Sequence, residues 1–243
     1  MRVLACFFFL SMVLAPSVHA STQTLHIVTE PWAPYVYLDG GAPAGIDYEV
    51  ANQVFKRLGV EVQWEFLPWK RCLMMVEQGQ ADGVLDIFHT PARDPWLVIA
   101  NEPLSQVEFV LYQANDRPMA SGRLRTLQGL RVGIAPGFEY GPGFSASLAE
   151  KEPAPSLEAN FGKLLLGRVD LVITDRRVGD FTLAQSGQAA RISQIPGALS
   201  TQALYLGLRR DAGLPDLALR FSDALREFKQ EPAYARLLKR YGL

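Results

Sequence analysis

The sequence predicts an α/β protein of two lobes, each built on a mostly parallel sheet flanked by helices, with two crossing hinge strands between them. Short apolar strands alternate with amphipathic helices, and this alternation is typical of parallel sheets. A helix end, the pattern Gly-x-x-Asp and a buried strand follow one another twice, at residues 79–82 and 167–170. Two apolar segments, residues 107–113 and 203–209, stand where a chain would pass from one lobe to the other and back.

The first unit begins with an apolar strand at residues 25–29. A helix is predicted next, because apolar residues recur at every fourth position and Gly59 stands at the end of the segment. Residues 60–66 alternate between apolar and polar side chains, which indicates a half-buried strand. A second helix ends at Gly79, and residues 83–87 return as a strand. The apolar positions of the two helices are Ile46, Val50, Val54, Leu58, Trp69, Leu73 and Val76.

A second unit of the same kind begins with the strand of residues 131–135, and apolar residues at helical spacing close the chain. We expect these closing helices to pack on the first lobe, so that the second lobe is an insertion. The predicted boundaries place residues 21–110 and 205–243 in the first lobe and residues 111–204 in the second. Two strands that cross between lobes permit closure around a ligand by hinge motion.

Residues 1–20 have the features of a cleaved export signal. Arg2 precedes an apolar run at residues 3–14, and residues 18–20 (Val-His-Ala) offer a cleavage site after Ala20. A membrane anchor is the alternative, but the run is shorter than the roughly 20 residues that span a bilayer. The sequence therefore predicts a protein secreted to the periplasm.

Charge and composition argue against several classes of protein. Without Arg2, the 24 basic residues become 23 against 25 acidic ones, and this net charge of −2 without basic blocks argues against nucleic-acid binding. Cys72 has no second cysteine beyond residue 20, and its apolar helix face predicts a small buried hydrophobe. His89 has no histidine or cysteine at metal-ligand spacing, and the glycine-rich stretch 137–143 misses the dinucleotide fingerprint. We expect no metal, no cofactor and no catalysis.

Ligands of open α/β sheets bind beyond the carboxyl ends of the parallel strands, and three such ends carry polar or aromatic residues. They are residues 30–37, residues 86–93 and Asp175. Arginine holds a carboxylate through two hydrogen bonds, aspartate pairs with an ammonium group, and aromatic faces stack on planes or cations. This set fits a small polar, amino-acid-like ligand. The predicted ligand-binding residues are Arg93, Asp175, Asp86, Phe88, Trp32, Tyr35, Trp69, Phe138 and Glu139.

Each of these residues also has a structural alternative. Arg93 can pair with Asp94 on a surface loop. Asp175 can cap a helix N-terminus, and Asp86 can cap the turn that follows its strand. Three of the aromatic residues are equally consistent with core or hinge packing: Trp32, Tyr35 and Trp69.

Four segments support a resemblance to a known family. They are residues 45–50 (Gly-Ile-Asp-Tyr-Glu-Val), 57–60 (Arg-Leu-Gly-Val), 78–83 (Gln-Gly-Gln-Ala-Asp-Gly) and 90–93 (Thr-Pro-Ala-Arg). In this order, with the paired Gly-x-x-Asp patterns, they make the chain resemble the extracellular solute-binding proteins, family 3, of polar-amino-acid ABC transporters. The resemblance implies the periplasmic-binding-protein fold and a membrane permease as partner. It also implies that Arg93 clamps the ligand's α-carboxylate and that Asp175 receives its α-ammonium group.

The chain departs from the family pattern and resembles a less typical branch. Asp86 and Phe88 stand where typical members have small hydroxyl residues. Phe138 and Glu139 stand where typical members often have Gly-Thr-Thr or Gly-Ser. The additional acidic and aromatic surface favours a cationic or aromatic amine as ligand.

Three functions remain open at this point. The leading one is a periplasmic receptor that closes on its ligand and presents it to an ABC transporter. The second is a periplasmic dehydratase of prephenate or arogenate, since such enzymes resemble the same fold. Glu139 or Asp86 would then act as a general acid with a raised pKa. The third is a soluble subunit that reports ligand to a membrane kinase or chemoreceptor. We expect a monomer, because hinge closure leaves little surface for a permanent dimer.

Overall fold

The structure, a computed structural model, describes residues 23–119 and 124–243. The predicted signal peptide at residues 1–20 lies outside these ranges, so its cleavage stays a prediction. Within the described ranges, no helix combines the length and the apolar character needed to cross a membrane.

Strands and helices alternate through the first half of the fold, as the sequence predicts. The elements are β1 (Gln23–Thr29), β2 (Tyr37–Asp39), β3 (Ala42–Ala44), α1 (Ile46–Arg57), β4 (Val60–Phe66), α2 (Trp69–Glu77), β5 (Gly83–Ile87) and β6 (Leu97–Ile99). β1 lies between two parallel partners, since it pairs with β4 along its whole length and with β5 at Ile27 and Val28. The hairpin of β2 and β3 was not predicted, because its strands are short and exposed.

The second half repeats this pattern and the chain then returns to the first half. Its elements are β7 (Ser105–Ala114), β8 (Arg131–Ile134), α3 (Pro142–Ser145), β9 (Glu150–Pro153), α4 (Leu157–Leu165), β10 (Leu171–Asp175), α5 (Arg176–Ser186), β11 (Ile192–Gln194), β12 (Ser200–Arg209), α6 (Pro215–Lys229) and α7 (Pro232–Arg240). β8 lies between β10 and β9 and is parallel to both. Each half therefore has a core of three parallel strands, which confirms the predicted fold class.

The two halves are joined by β7 and β12, which are the two predicted crossing strands. They pair antiparallel from Ser105 opposite Leu204 to Phe109 opposite Ser200. Beyond this segment β12 continues along β5 and β6, whereas β7 continues along β10 and β11. The result is one 10-stranded sheet in the order β4-β1-β5-β12-β7-β10-β8-β9. Because the sheet is continuous, the lobe boundaries near residues 110 and 205 stay a prediction.

The repeated Gly-x-x-Asp pattern has the same structural role in both halves. Gly79 and Gly167 follow helix ends with φ values of 74° and 67°, which favour glycine. Asp82 accepts a hydrogen bond from the backbone N–H of His26, in β1, at 2.9 Å. Asp170 accepts the corresponding bond from the N–H of Arg131, in β8, at 2.8 Å. Each aspartate therefore ties the start of its strand to the neighbouring parallel strand.

The closing helices pack on the first half, as predicted. The rings of Phe55 in α1 and Phe221 in α6 are both fully buried, with centroids 4.9 Å apart. Tyr241, just after α7, accepts a hydrogen bond from the backbone N–H of Gly45, which immediately precedes α1. Cys72 in α2 is also fully buried, and burial raises the pKa of its thiol to about 12. It is therefore the small buried hydrophobe that the sequence predicts.

Candidate ligand-binding cleft

A small chamber lies between the two halves, and we call it the inner chamber. It encloses about 30 Å³, which is enough space for one or two water molecules. Seven of the nine predicted ligand-binding residues line it: Trp32, Trp69, Asp86, Phe88, Arg93, Phe138 and Glu139. Thr29, Glu30, Leu85 and Gly137 complete its wall. The predicted residues from both halves therefore come together at one place, while their role as ligand contacts stays a prediction.

A larger outer chamber of about 440 Å³ adjoins the inner one. The two share Glu30, Trp32 and Phe138 in their walls. The rings of Trp32 and Phe138 meet edge to face with centroids 5.7 Å apart, and they come from opposite halves of the fold. This aromatic contact stands between the two chambers. The outer chamber, whose wall also includes Phe109, Tyr140, Thr174 and Thr182, was not predicted from the sequence.

Arg93 is a buried cation on the wall of the inner chamber. Its side chain is only 9% exposed, and burial lowers the pKa of its guanidinium group. Nη1 donates a hydrogen bond to the backbone oxygen of Phe88 at 2.5 Å, and Nη2 lies 3.8 Å from a carboxylate oxygen of Glu139 in the other half. The predicted alternative, a surface pair with Asp94, is not seen among the described residues, and Asp94 pairs with His89 at 2.8 Å. Among the described residues, Arg93 thus has no hydrogen-bonded carboxylate partner.

Asp86 is a second buried ionisable group of the inner chamber. It is the penultimate residue of β5 and has a φ of 60°, a left-handed conformation that is uncommon outside glycine. Neither carboxyl oxygen receives a hydrogen bond from an N–H or hydroxyl donor of the described residues. Burial, followed by the nearby charge of Asp47, raises the pKa of Asp86 well above its ordinary value. The alternative role as a cap for the following turn is therefore not seen.

Asp175 and Tyr35 are the two predicted residues that do not line the inner chamber. Both carboxyl oxygens of Asp175 accept hydrogen bonds. Oδ1 accepts from the N–H of Val178 and from the Tyr35 hydroxyl, both at 3.1 Å. Oδ2 accepts from the N–H of Glu108 at 2.9 Å. Asp175 is the N-cap of α5, which was its structural alternative. Because α5 starts at the residue after β10, this short side chain is used to begin the helix. Its predicted contact with an ammonium group stays untested.

Two acidic residues at the cleft were missed as candidate site residues. Glu30 lines both chambers and accepts a hydrogen bond from the backbone N–H of Trp69 at 3.2 Å, at the start of α2. Burial raises the pKa of its carboxyl group. Asp47 in α1 lies behind the chamber, fully buried beside Asp86. Glu30 directly follows a parallel strand, and this position is a signal that could have identified it.

The inner chamber therefore combines one buried guanidinium, several carboxyl groups and aromatic walls. It also contains buried polar atoms with no partner among the described residues, namely Thr29 Oγ1 and both oxygens of Asp86. Unsatisfied buried polar groups are costly, so their concentration in one cavity indicates a place where a polar molecule binds. A molecule with both a negative and a positive group would satisfy this arrangement.

Solved structures share the fold of this chain at low sequence identity. A histidine kinase sensor domain with similarity to periplasmic binding proteins has a TM-score of 0.78 and 18% identity, over 90% of this chain and 96% of that one. A mutant of ArgBP from T. maritima has a TM-score of 0.77 and 19% identity, over 90% and 94% of the two chains. An ancestral arginine-binding protein bound to arginine has a TM-score of 0.76 and 22% identity, over 90% and 97%.

Sequence comparison identifies the family directly. No curated protein sequence matches the chain significantly. The family described as bacterial extracellular solute-binding proteins, family 3, matches residues 25–243, which include nearly all of the described part of the chain. This chain belongs to the bacterial extracellular solute-binding proteins of family 3.

Proposed function

We propose that this protein is a receptor for a small amino-acid-like solute, which it binds in the inner chamber with the ligand's carboxylate on Arg93. The observation that carries the proposal is the environment of that guanidinium. It is buried, it lines a cavity, and the carboxylate that pairs with it among the described residues, that of Glu139, is 3.8 Å away and thus beyond hydrogen-bonding distance. A ligand carboxylate would replace water with charge-assisted hydrogen bonds.

Ligand entry requires the two halves to separate. Trp69, Asp86 and Arg93 come from the first half, and Phe138 and Glu139 come from the second. Since the inner chamber has room for only one or two water molecules, an amino acid enters after the halves open and the walls then close on it. The long strands β7 and β12 are the connection about which such a hinge motion would occur.

Family membership and the sequence support the setting proposed for this function. We propose a periplasmic, monomeric protein that delivers its solute to the permease of an ABC transporter. The soluble sensor subunit is the alternative, and the genes beside this one distinguish the two. Adjacent permease and ATPase genes support transport, whereas an adjacent kinase gene contradicts it.

A thermal-shift screen tests the ligand class. The purified protein is heated with individual amino acids, polyamines, small organic acids and prephenate. A ligand at a hundredfold excess over its Kd stabilises the folded state by about 2.7 kcal/mol, which raises the midpoint by about 5–10 °C in a chain of this size. We expect the shift with an amino acid.

Variants of Arg93 test the residue assignment. Arg93→Ala is expected to weaken binding at least about thirtyfold, which corresponds to about 2 kcal/mol for a truncated partner of a buried charge pair. Arg93→Lys keeps the charge but not the paired hydrogen bonds, so it should bind with intermediate affinity. Arg168→Ala, which changes an exposed arginine, is the control. Unchanged affinity in Arg93→Ala would refute the carboxylate site.

One observation favours a second candidate, the dehydratase. The raised pKa of Asp86 favours the protonated form of a carboxyl group in a chamber with aromatic walls, as a general acid requires. Incubation with prephenate or arogenate, followed by measurement of phenylpyruvate or phenylalanine, tests this function. No product above the uncatalysed rate would exclude it.

A further inference from the structure

Two buried carboxyl groups lie next to each other, Asp86 in the wall of the inner chamber and Asp47 behind it. Asp86, at the end of β5, is 8% exposed, and Asp47, in the first turn of α1, is fully buried. Asp47 acts directly on the carboxyl group of Asp86, because its charge and its hydrogen-bonding oxygens both raise the pKa of Asp86. The only donor that Asp47 receives among the described residues is the hydroxyl of Ser105, which binds Oδ1 at 2.5 Å and leaves Oδ2 without a partner. Three of the four carboxyl oxygens thus lack a donor in the described part of the chain.

Such a pair is stable only if it holds a proton. Two carboxylates in a buried site cannot both ionise without a large cost, and one shared proton supplies the missing donor to the other group. The surrounding charges do not remove this need at Asp86. Arg177 in α5 and Lys229 in α6 stabilise the ionised form of Asp47 and so lower its pKa. Arg93 is directed to Phe88 and Glu139. The charge of Asp47 also raises the pKa of two tyrosines, Tyr35 and Tyr234, and Glu30 lies in the chamber wall.

We propose that Asp86 is the subsite for the ligand's ammonium group, and that binding this cation displaces the proton that Asp86 shares with Asp47. The inference rests on the proposed function, because it assigns the second charged end of the same amino-acid-like ligand. Asp86 and Arg93 line the same chamber, so one zwitterion can reach both. Asp175 is less suited, since three donors already occupy its oxygens.

The exchange is balanced in atoms and charge. The ligand arrives as R–NH₃⁺ and stays protonated, the carboxyl O–H of the pair breaks, and one proton leaves to the solvent. Binding therefore competes with the proton, and affinity rises with pH by up to about tenfold per pH unit while the pair is protonated. The unoccupied lone pairs of Asp86 then accept hydrogen bonds from the ammonium group.

Asp86→Asn is the informative variant because it preserves shape. Asparagine is one of the residues that tolerates a φ of 60°, so the end of β5 should fold as before. Asp47→Asn removes the charge that opposes ionisation of Asp86 and keeps an oxygen for Ser105. Asp216→Asn, on the exposed surface of α6, is the matched control.

Infrared spectroscopy of the ligand-free protein at neutral pH tests the shared proton without any ligand. The spectrum of the wild type should contain the C=O band of a protonated carboxyl group, shifted in heavy water and absent in Asp86→Asn. Asp216→Asn should keep the band. A wild-type spectrum without a protonated carboxyl band would overturn the proposal.

Isothermal titration calorimetry with the standard L-amino acids, one at a time and in two buffers of different ionisation enthalpy, tests the subsite. The amino acid that binds should release about one proton from the wild type, fewer from Asp47→Asn, and none from Asp86→Asn, which should also bind at least about tenfold more weakly. Binding with no proton release, or full release in Asp86→Asn, would overturn this inference alone. If no amino acid binds to the wild type, the proposed ligand class itself is contradicted.

Discussion

The pH dependence of folding in Asp86→Asn provides a test of the buried carboxyl pair that needs no ligand. The substitution changes a carboxyl group into an amide of the same shape at a position with a φ of 60°. Asparagine tolerates this conformation, so the fold and the chamber wall should persist. Only the ability of residue 86 to take up a proton is removed.

The raised pKa of Asp86 determines how the free energy of unfolding changes with pH. Burial and the charge of Asp47 raise the pKa of Asp86 well above its ordinary value. Between the unfolded and folded pKa values the folded wild type therefore holds one proton more than the unfolded chain, and its stability falls as pH rises. One proton corresponds to about 1.4 kcal/mol of unfolding free energy per pH unit between the unfolded pKa and the raised folded pKa. Asp47, whose pKa burial raises to about 6, titrates in the same range, so the comparison measures the proton of the pair as a whole.

Urea unfolding at several pH values measures this difference. We expect Asp86→Asn to become more stable relative to the wild type as pH rises above the unfolded pKa, by up to about 1.4 kcal/mol per pH unit. Asp216→Asn, with an exposed carboxyl group, should follow the wild-type curve. If the difference between Asp86→Asn and the wild type is constant from about pH 5 to 7, Asp86 ionises normally and the reasoning is wrong.

Three further predictions concern the fold. Phe221→Ala should lower the free energy of unfolding by about 3–5 kcal/mol, because the ring of Phe221 is fully buried. Leu219 is 54% exposed, so Leu219→Ala should change this free energy by less than about 0.5 kcal/mol. Urea unfolding measures both values. Asp170→Ala leaves a strand N–H without its acceptor and should cost about 1–3 kcal/mol, unlike the exposed Asp116→Ala. Tyr35→Phe removes the bond to the capping carboxylate of α5 and should cost about 1 kcal/mol by thermal melting, and an unchanged midpoint would contradict that bond.

The sequence predicted a helix or strand correctly where the spacing of its apolar residues matches only one kind of secondary structure. The four-residue spacing from Ile46 to Leu58 predicts a helix, and α1 occupies Ile46–Arg57. The alternation at residues 60–66 predicts β4 with the same bounds. The hairpin of β2 and β3 was missed because exposed strands of three residues are too short to show an alternation of apolar and polar side chains.

The candidate site was predictable only in part. The rule that ligands bind at strand ends led to Asp86, Phe88 and Arg93, and the structure brings these together at one chamber. The same rule led to Asp175, which is used to cap α5. A strand-end aspartate that precedes a helix satisfies both patterns, so the sequence alone could not choose between them.

The sequence by itself determined the alternation of elements, the paired Gly-x-x-Asp junctions, the two crossing segments and the family, because each depends on residues that are close in the chain. Only the tertiary structure decided which ionisable groups meet. Asp47 and Asp86 are on different elements, and Arg93 and Glu139 are in different halves. The burial and the charges that surround a carboxyl group depend on residues distant in sequence, and these set its pKa and the cation it can hold.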